Sequence, residues 1–230
     1  MWIWCLGSAL AATPNPDRPS VSRSGFLVAA DTLELELGVA WADSRAVPTT
    51  LKYAIGEWVE PRVSANLSGV EAGLPALEAG TKIRLVDDGD QGFAIWAGSA
   101  VPVSTEEGWY GQLHGLYTTG LGHGFGLQLN GGVDVVGDGG GGVDFGGVPL
   151  VGALSIAPTG KLSLFAEVAG RVVGPRCDGA TCAYGNVVVD GGIGFLLTEI
   201  LLVDGGAGWD LAAQQPYAQL GLTANFGSIR

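Results

Sequence analysis

The chain has 230 residues, of which 47% are hydrophobic, only 15% are charged and 40 are glycine, and its formal net charge is −12. That acidic balance excludes nucleic acid as a partner, because phosphate recognition needs an excess of cations. The glycine follows no short repeat, which excludes a collagen, and the regularly spaced apolar residues exclude a disordered chain.

No run of eighteen apolar residues follows the N-terminus, so no helical span is expected. A barrel strand interleaves polar and apolar residues and escapes that test. Residues 1–11 read as the tail of a secretory signal. Trp2 to Leu6 form a short apolar run and Ala9-Leu10-Ala11 is a plausible cleavage site, although the first cation is Arg18. Cys5 lacks the small residues that precede a lipoprotein cysteine, so no lipid anchor is expected. Residues 12–31 form a polar, proline-containing lead-in.

Thr32–Ala42 is a clear strand: Leu33, Leu35, Leu37, Val39 and Trp41 alternate with Thr32, Glu34, Glu36, Gly38 and Ala40. Two glutamates on one face are costly in a dry core and reasonable in a wet or ion-paired one. Ser44–Thr50 reads as a loop, Leu51–Ile55 as a strand carrying Lys52, and Gly56-Glu57-Trp58 as a tight turn. Arg62–Ser68 and Leu77–Leu85 alternate, with Arg62 on one and Lys82 and Arg84 on the other facing away from the apolar side. Phe93–Val103 has no clear facing. Trp109–Thr118 sets Gln112 and His114 against Trp109, Leu113 and Tyr117, and Thr118–Gly124 reads as a longer connection. Phe125–Val135 carries Gln128 and Asp134 on its polar face. A glycine-rich loop at Gly137–Gly147 leads to a strand at Val148–Ile156. Lys161–Val172 carries Glu167 and Arg171, Asn186–Phe195 carries Asp190, and Ile200–Asp210 carries Asp204.

The last strand, Pro216–Phe226, places Leu220, Leu222, Ala224 and Phe226 on one face and Gln219, Gly221, Thr223 and Asn225 on the other. A strand of about 9–11 residues, apolar outward, polar inward and aromatic at its ends, is the unit of a transmembrane barrel. A final strand ending in Phe resembles the C-terminus of outer-membrane proteins, where it is the signal read by the barrel-assembly machinery. The expected fold is therefore all-β: a transmembrane antiparallel up-and-down β-barrel of about 12 strands over residues 32–226, with a tail at 227–230. Short connections alternate with long ones, as periplasmic turns alternate with outer loops.

In this reading the lumen-facing residues, and the possible solute path, are Glu34, Glu36, Lys52, Arg62, Lys82, Arg84, Gln112, His114, Gln128, Asp134, Glu167, Arg171, Asp190 and Asp204. The glutamates are expected to pair with Lys82, Arg84 or Arg171, and few large residues apart from Phe165 are expected inside. Trp41, Trp109, Tyr117, Trp209 and Phe226 are expected as membrane-interface aromatics. Cys177 and Cys182 enclose a glycine-containing loop, which in an exported protein predicts a disulfide; a metal pair would need a nearby His or further Cys, and there is none.

Enzymatic readings are weak. His114 and His123 have no serine beside them for a nucleophilic pair. Glu34, Glu36 and Glu167 share strand faces without marking a glycosidase. Asp87-Asp88-Gly89-Asp90 and Asp138-Gly139 lack calcium-loop spacing, and Gly137–Gly142 lacks the ending of a phosphate loop. No catalytic residue, metal or cofactor is expected.

Thr32–Gly38, Leu51–Gly56, Gly80-Thr81-Lys82, Leu164–Glu167 and Asp190–Gly194 together resemble the outer-membrane proteins grouped as the putative MetA-pathway of phenol degradation. The resemblance implies an exported barrel in the outer membrane that passes small hydrophobic or aromatic compounds. Its implied partners are outer-membrane lipid, the assembly machinery and small apolar solutes. Two other readings stay open at this point: a structural or surface-interaction barrel without transport, and a soluble secreted β-barrel or sandwich that binds a ligand.

Overall fold

The computed structural model describes residues 14–17, 22–42, 45–66, 77–101, 109–137, 142–172 and 184–228. Apart from the lead-in and the turns, these residues are strand. In chain order they are β1 (Thr32–Trp41), β2 (Arg45–Ala46), β3 (Pro48–Tyr53), β4 (Val59–Asn66), β5 (Leu77–Asp87), β6 (Gln91–Val101) and β7 (Tyr110–Gly122). There follow β8 (Phe125–Gly137), β9 (Val143–Ile156), β10 (Leu162–Val172), β11 (Tyr184–Thr198), β12 (Leu201–Asp210) and β13 (Gln215–Ser228). Apart from β2 and β3, which both pair with β1, each strand pairs antiparallel with its neighbour in sequence, and β13 pairs back onto β1 from Thr32↔Ser228 to Trp41↔Ala218. The sheet is closed and has no free edge. β2 and β3 both pair with β1 and flank Val47, so they are two pieces of one wall strand and the wall has twelve.

The tight turns gather at one end of the barrel. Asp88-Gly89-Asp90, His123-Gly124 and Glu199-Ile200 join β5 to β6, β7 to β8 and β11 to β12. His123 (φ 53°) and Gly124 (φ 84°) are both left-handed, as a two-residue hairpin turn requires. That turn corrects one expectation: β7 runs on to Gly122, so Thr118–Gly124 is strand and turn rather than a longer connection. Likewise Ser44–Thr50 contains β2 and the start of β3, and the loop expected at Gly137–Gly147 is already paired from Val143. In each case a neighbouring strand supplies backbone partners that local composition does not reveal. Both Thr32 and Ser228 lie at the tight-turn end.

The polarity of the barrel is inverted relative to a soluble domain. Glu34, Glu36, Lys52, Glu60, Arg62, Lys82, Asp134, Glu167 and Asp204 are buried, while Leu51, Val63, Leu113, Leu129, Leu150, Val168, Ile193 and Leu220 are exposed. Period-two alternation sends each set to opposite sides of the wall. A soluble sandwich would bury the second set against another layer. Here that set faces out all the way round, and the arrangement is stable only with hydrocarbon outside.

Leu222, at mid-length in β13, is 37% exposed on this outer face and pairs with Leu37. Leu222→Arg should cost roughly 2–4 kcal/mol in a bilayer, whereas Leu222→Ile should cost little. Denaturant unfolding from lipid vesicles checks this, and equal tolerance of both would reject the assigned facing.

Candidate functional site

The lumen is lined on the β1–β5 side by a lattice of ions. Antiparallel register puts Glu34 opposite Lys52 and Lys52 opposite Arg62, and one strand further puts Glu60 opposite Lys82. Lys52 Nζ lies 2.9 Å from Glu34 Oε1 and also pairs with Glu36. Arg62 donates to Glu60 at 2.8 Å, and Lys82 lies 3.6 Å from the same carboxylate. The expected pairing of Glu34, Glu36 and Glu167 with Lys82, Arg84 or Arg171 is therefore corrected. Near neighbours win: Glu34 meets the cation directly across from it, Glu36 reaches the same ammonium diagonally from its place opposite Thr50, and Glu60 meets Arg62 two residues along its own strand. Arg84 instead pairs with Asp87 at 3.2 Å, Arg171 with Asp134 at 2.9 Å, and Glu167 accepts from the backbone of Ser22.

A second network spans β7, β8 and β10. Asp134 is buried and accepts from the Tyr110 hydroxyl and from Arg171, and its other oxygen lies 2.7 Å from His114 Nε2. On the far wall the Tyr217 hydroxyl donates to Asp190. Trp96 is fully buried on the inner side of β6 and joins Phe165 as a large residue inside. The ring lies flat over Gly80 and Gly98. A Cβ at either position would come within 2.4 Å of it, which explains glycine at both. Gln112 accepts from Trp96 Nε1 at 2.9 Å.

The lead-in lies inside the barrel. Asn15 N and Asp17 N donate to Glu34 and Glu36, and Lys52 Nζ donates to the Asn15 carbonyl at 2.9 Å. Asp17 bonds Arg62 and lies 3.4 Å from Lys52 and 4.0 Å from Lys82. Burial works against the Asp17 carboxylate, but the surrounding cations, Arg62 foremost, outweigh it and hold its pKa well below the ordinary value. From Ser22 the chain descends to the tight-turn end, where Val28 N donates to Glu60 and Asp31 N to the Ala54 carbonyl before β1 begins. Asn15 Nδ2 donates to the Phe26 carbonyl at 3.1 Å and ties the two arms together.

A cavity of about 240 Å³ remains between the lead-in and β8–β12. Gln128, Ser155, Ser163, Phe165, Leu202 and Asp204 line it, with Pro14, Pro16 and Ser22 on the lead-in side. These wall residues sit toward the tight-turn end. Trp41, Trp109 and Trp209 are exposed at the opposite end, Phe226 is exposed at the tight-turn end, and Tyr117 is half-buried with its hydroxyl 3.2 Å from Gln91. Cys177 and Cys182, and the bond expected between them, lie outside the described residues.

Sequence reasoning missed Asp17, Arg23, Glu60, Trp96 and Tyr110. Glu60 shared a face with Arg62 and was legible as such. Trp96 sits among apolar neighbours that hide its facing, and nothing local marks the lead-in as a lumen ligand.

No protein-family model matches the chain, and no curated protein does. Solved structures do match. A KdgM porin in complex with disordered oligogalacturonate superposes with a TM-score of 0.67 at 6% identity, covering 84% of this chain and 99% of that one. The NanC porin gives 0.62 at 10% identity over 84% and 98% of the two chains. The COG4313 outer membrane channel from Pseudomonas putida F1 gives 0.60 at 14% identity over 93% and 100%. The fold is that of a porin-like transmembrane barrel. At these identities the likeness concerns the fold.

Lys52 tests the lattice. Lys52→Ala leaves Glu34 and Glu36 buried without their shared cation and should cost about 3–5 kcal/mol. Adding Glu34→Gln to that variant should recover part of the loss. Equilibrium unfolding in detergent reads both, and strictly additive costs would show that the pair is not coupled.

Proposed function

We propose that this protein is an outer-membrane channel that passes small hydrophobic or aromatic compounds. The observation that carries this reading is the cavity beside the lead-in. It combines Phe165 and Leu202 with the hydroxyls of Ser155 and Ser163 and the amide of Gln128. Its volume of about 240 Å³ lies below the ~300–1,000 Å³ of sites for drug-sized ligands, which fits a compact solute such as a substituted single ring. The apolar outer face, the inward charges and the fold shared with porins support a place in the outer membrane. Membrane lipid surrounds the wall in this reading, and the assembly machinery reads the last strand. The resemblance to the phenol-degradation outer-membrane group supports the aromatic solute class.

The lattice is close to neutral, because each cation on β3–β5 meets a carboxylate. A wall of mixed signs does not select strongly between cations and anions. Asp144, exposed near the end away from the tight turns, adds to an acidic outer surface that disfavours anions at low salt. A second reading, a barrel that serves as a structural or surface-interaction protein, is favoured by the lead-in, which crosses the lumen and narrows any path.

Purified protein in liposomes separates the two. A neutral aromatic should enter faster than an anion of similar size, with weak ionic conductance. Passage of neither solute would reject the channel and leave the structural reading, and large anion-selective currents would reject the apolar solute class.

A further inference from the structure

The inner wall treats residues Ser22–Val28 as a bound ligand. Four of their backbone N–H groups are taken up by wall side chains rather than by strands: Ser22 N by Glu167, Arg23 N by Asn130, Gly25 N by Thr118 and Val28 N by Glu60, at 2.6–2.8 Å, while Ser24 N donates to Asp17 and Phe26 N to Ser24 Oγ within the lead-in. The carbonyls are met as well. Asn130 Nδ2 donates to the Arg23 carbonyl at 2.8 Å, and Lys82 Nζ to that of Phe26 at 3.1 Å. Asn130 thus accepts from and donates to the same residue's main chain. A single amide clamping both backbone groups of one residue recognises the main chain of a peptide, whatever that residue's side chain.

One side chain is read too. The Arg23 guanidinium lies 4.4 Å from the centre of the Trp96 ring, bonds Glu78 at 2.8 Å and reaches Gln112 at 3.4 Å. An aromatic face, a carboxylate and an amide acceptor converging on one cation make an arginine pocket. Two residues on, the chain passes so close to the wall that a Cβ on Gly25 would lie 2.4 Å from the Gly92 carbonyl oxygen and 2.9 Å from that of Leu116. The wall therefore also requires a small residue at that place.

We propose that the lumen is a binding site for short arginine-bearing peptides, and that Ser22–Val28, which bends at Gly25–Phe26, occupies it as a tethered ligand. The wall residues that make the site are Glu78, Trp96, Gln112, Thr118, Asn130 and Glu167. The net charge of −12 draws cationic peptides toward the barrel. The inference does not depend on which solute the channel passes, since peptide binding can be measured in detergent without transport.

The test uses the full chain and a fluorescently labelled heptapeptide, Ser-Arg-Ser-Gly-Phe-Leu-Val, read by anisotropy. Arg23→Ala removes the anchor of the tethered arm and leaves the pocket intact, and adding Gly25→Val forces that arm off the wall. Migration with and without boiling verifies that each variant is a folded barrel, and Arg23→Ala alone, which introduces no clash, serves if the double variant does not fold. The peptide should bind the variants at least about tenfold more tightly than it binds the wild type, and its analogue with Ala for Arg should bind at least about tenfold more weakly. Adding Glu78→Gln should abolish most of that difference. Equal binding of the two peptides, or no gain over the wild type, would overturn the proposal.

Discussion

Lys52 is the joint on which the structure depends. Its ammonium is 1% exposed and meets Glu34 and Glu36 of the wall, the Asn15 carbonyl and the Asp17 carboxylate of the lead-in. Taking an ammonium out of water costs several kcal/mol unless carboxylates and carbonyls replace its hydration. Here the replacement comes from two places, β1 and the segment that precedes it. The same ion therefore fastens β1 to β3 and fastens the lead-in to both. A barrel without the lead-in would keep its paired ions but lose part of this coordination.

Much of the wall was legible because closure leaves little freedom. A strand with hydrocarbon on one side and a polar lumen on the other must alternate, and β1 and β13 do so without exception in their central residues. That alternation carried the facing of Glu34, Glu36, Lys52, Arg62, Lys82, Asp134, Glu167 and Asp204, all of which are buried. Pairings were less legible. Which cation meets Glu36 depends on register across strands, and register is set by turns such as His123-Gly124 that composition alone reads as part of a longer loop.

The lead-in was not legible, for a different physical reason. A peptide held by side chains needs no periodicity of its own, since the wall supplies the alternation of donors and acceptors. Asn15, Asp17 and Arg23 look like ordinary polar residues of a linker. Only the closed wall gives them partners, and those partners come from β1, β3, β4, β5, β7 and β8, far apart in sequence. Trp96 was hidden by the converse effect: its ring lies against Gly80 and Gly98 on the wall side and under Arg23 and Arg62 on the other, so an aromatic ring sits on the polar side of the barrel without facing water.

The distribution of charge across the lumen explains why the lead-in lies as it does. The buried cations Lys52, Arg62 and Lys82 stand on β3, β4 and β5, whereas Glu167, Asp190 and Asp204 stand on β10, β11 and β12, and Arg171 on that side is taken up by Asp134. Glu34, Glu36 and Glu60 offset those cations, so the β1–β5 side is nearly neutral, the β10–β12 side carries the carboxylate excess, and the interior field runs across the barrel. A segment with a carboxylate at Asp17 and donor N–H groups from Ser22 onward has one favourable orientation in that field: Asp17 toward Arg62, and Ser22 toward Glu167. Interactions across a narrow, poorly hydrated lumen are screened far less than those on a surface. The transverse field thus favours the same orientation that the hydrogen bonds of the lead-in hold. It also acts on any other molecule in the same space, favouring solutes and peptides whose own charge separation runs the same way.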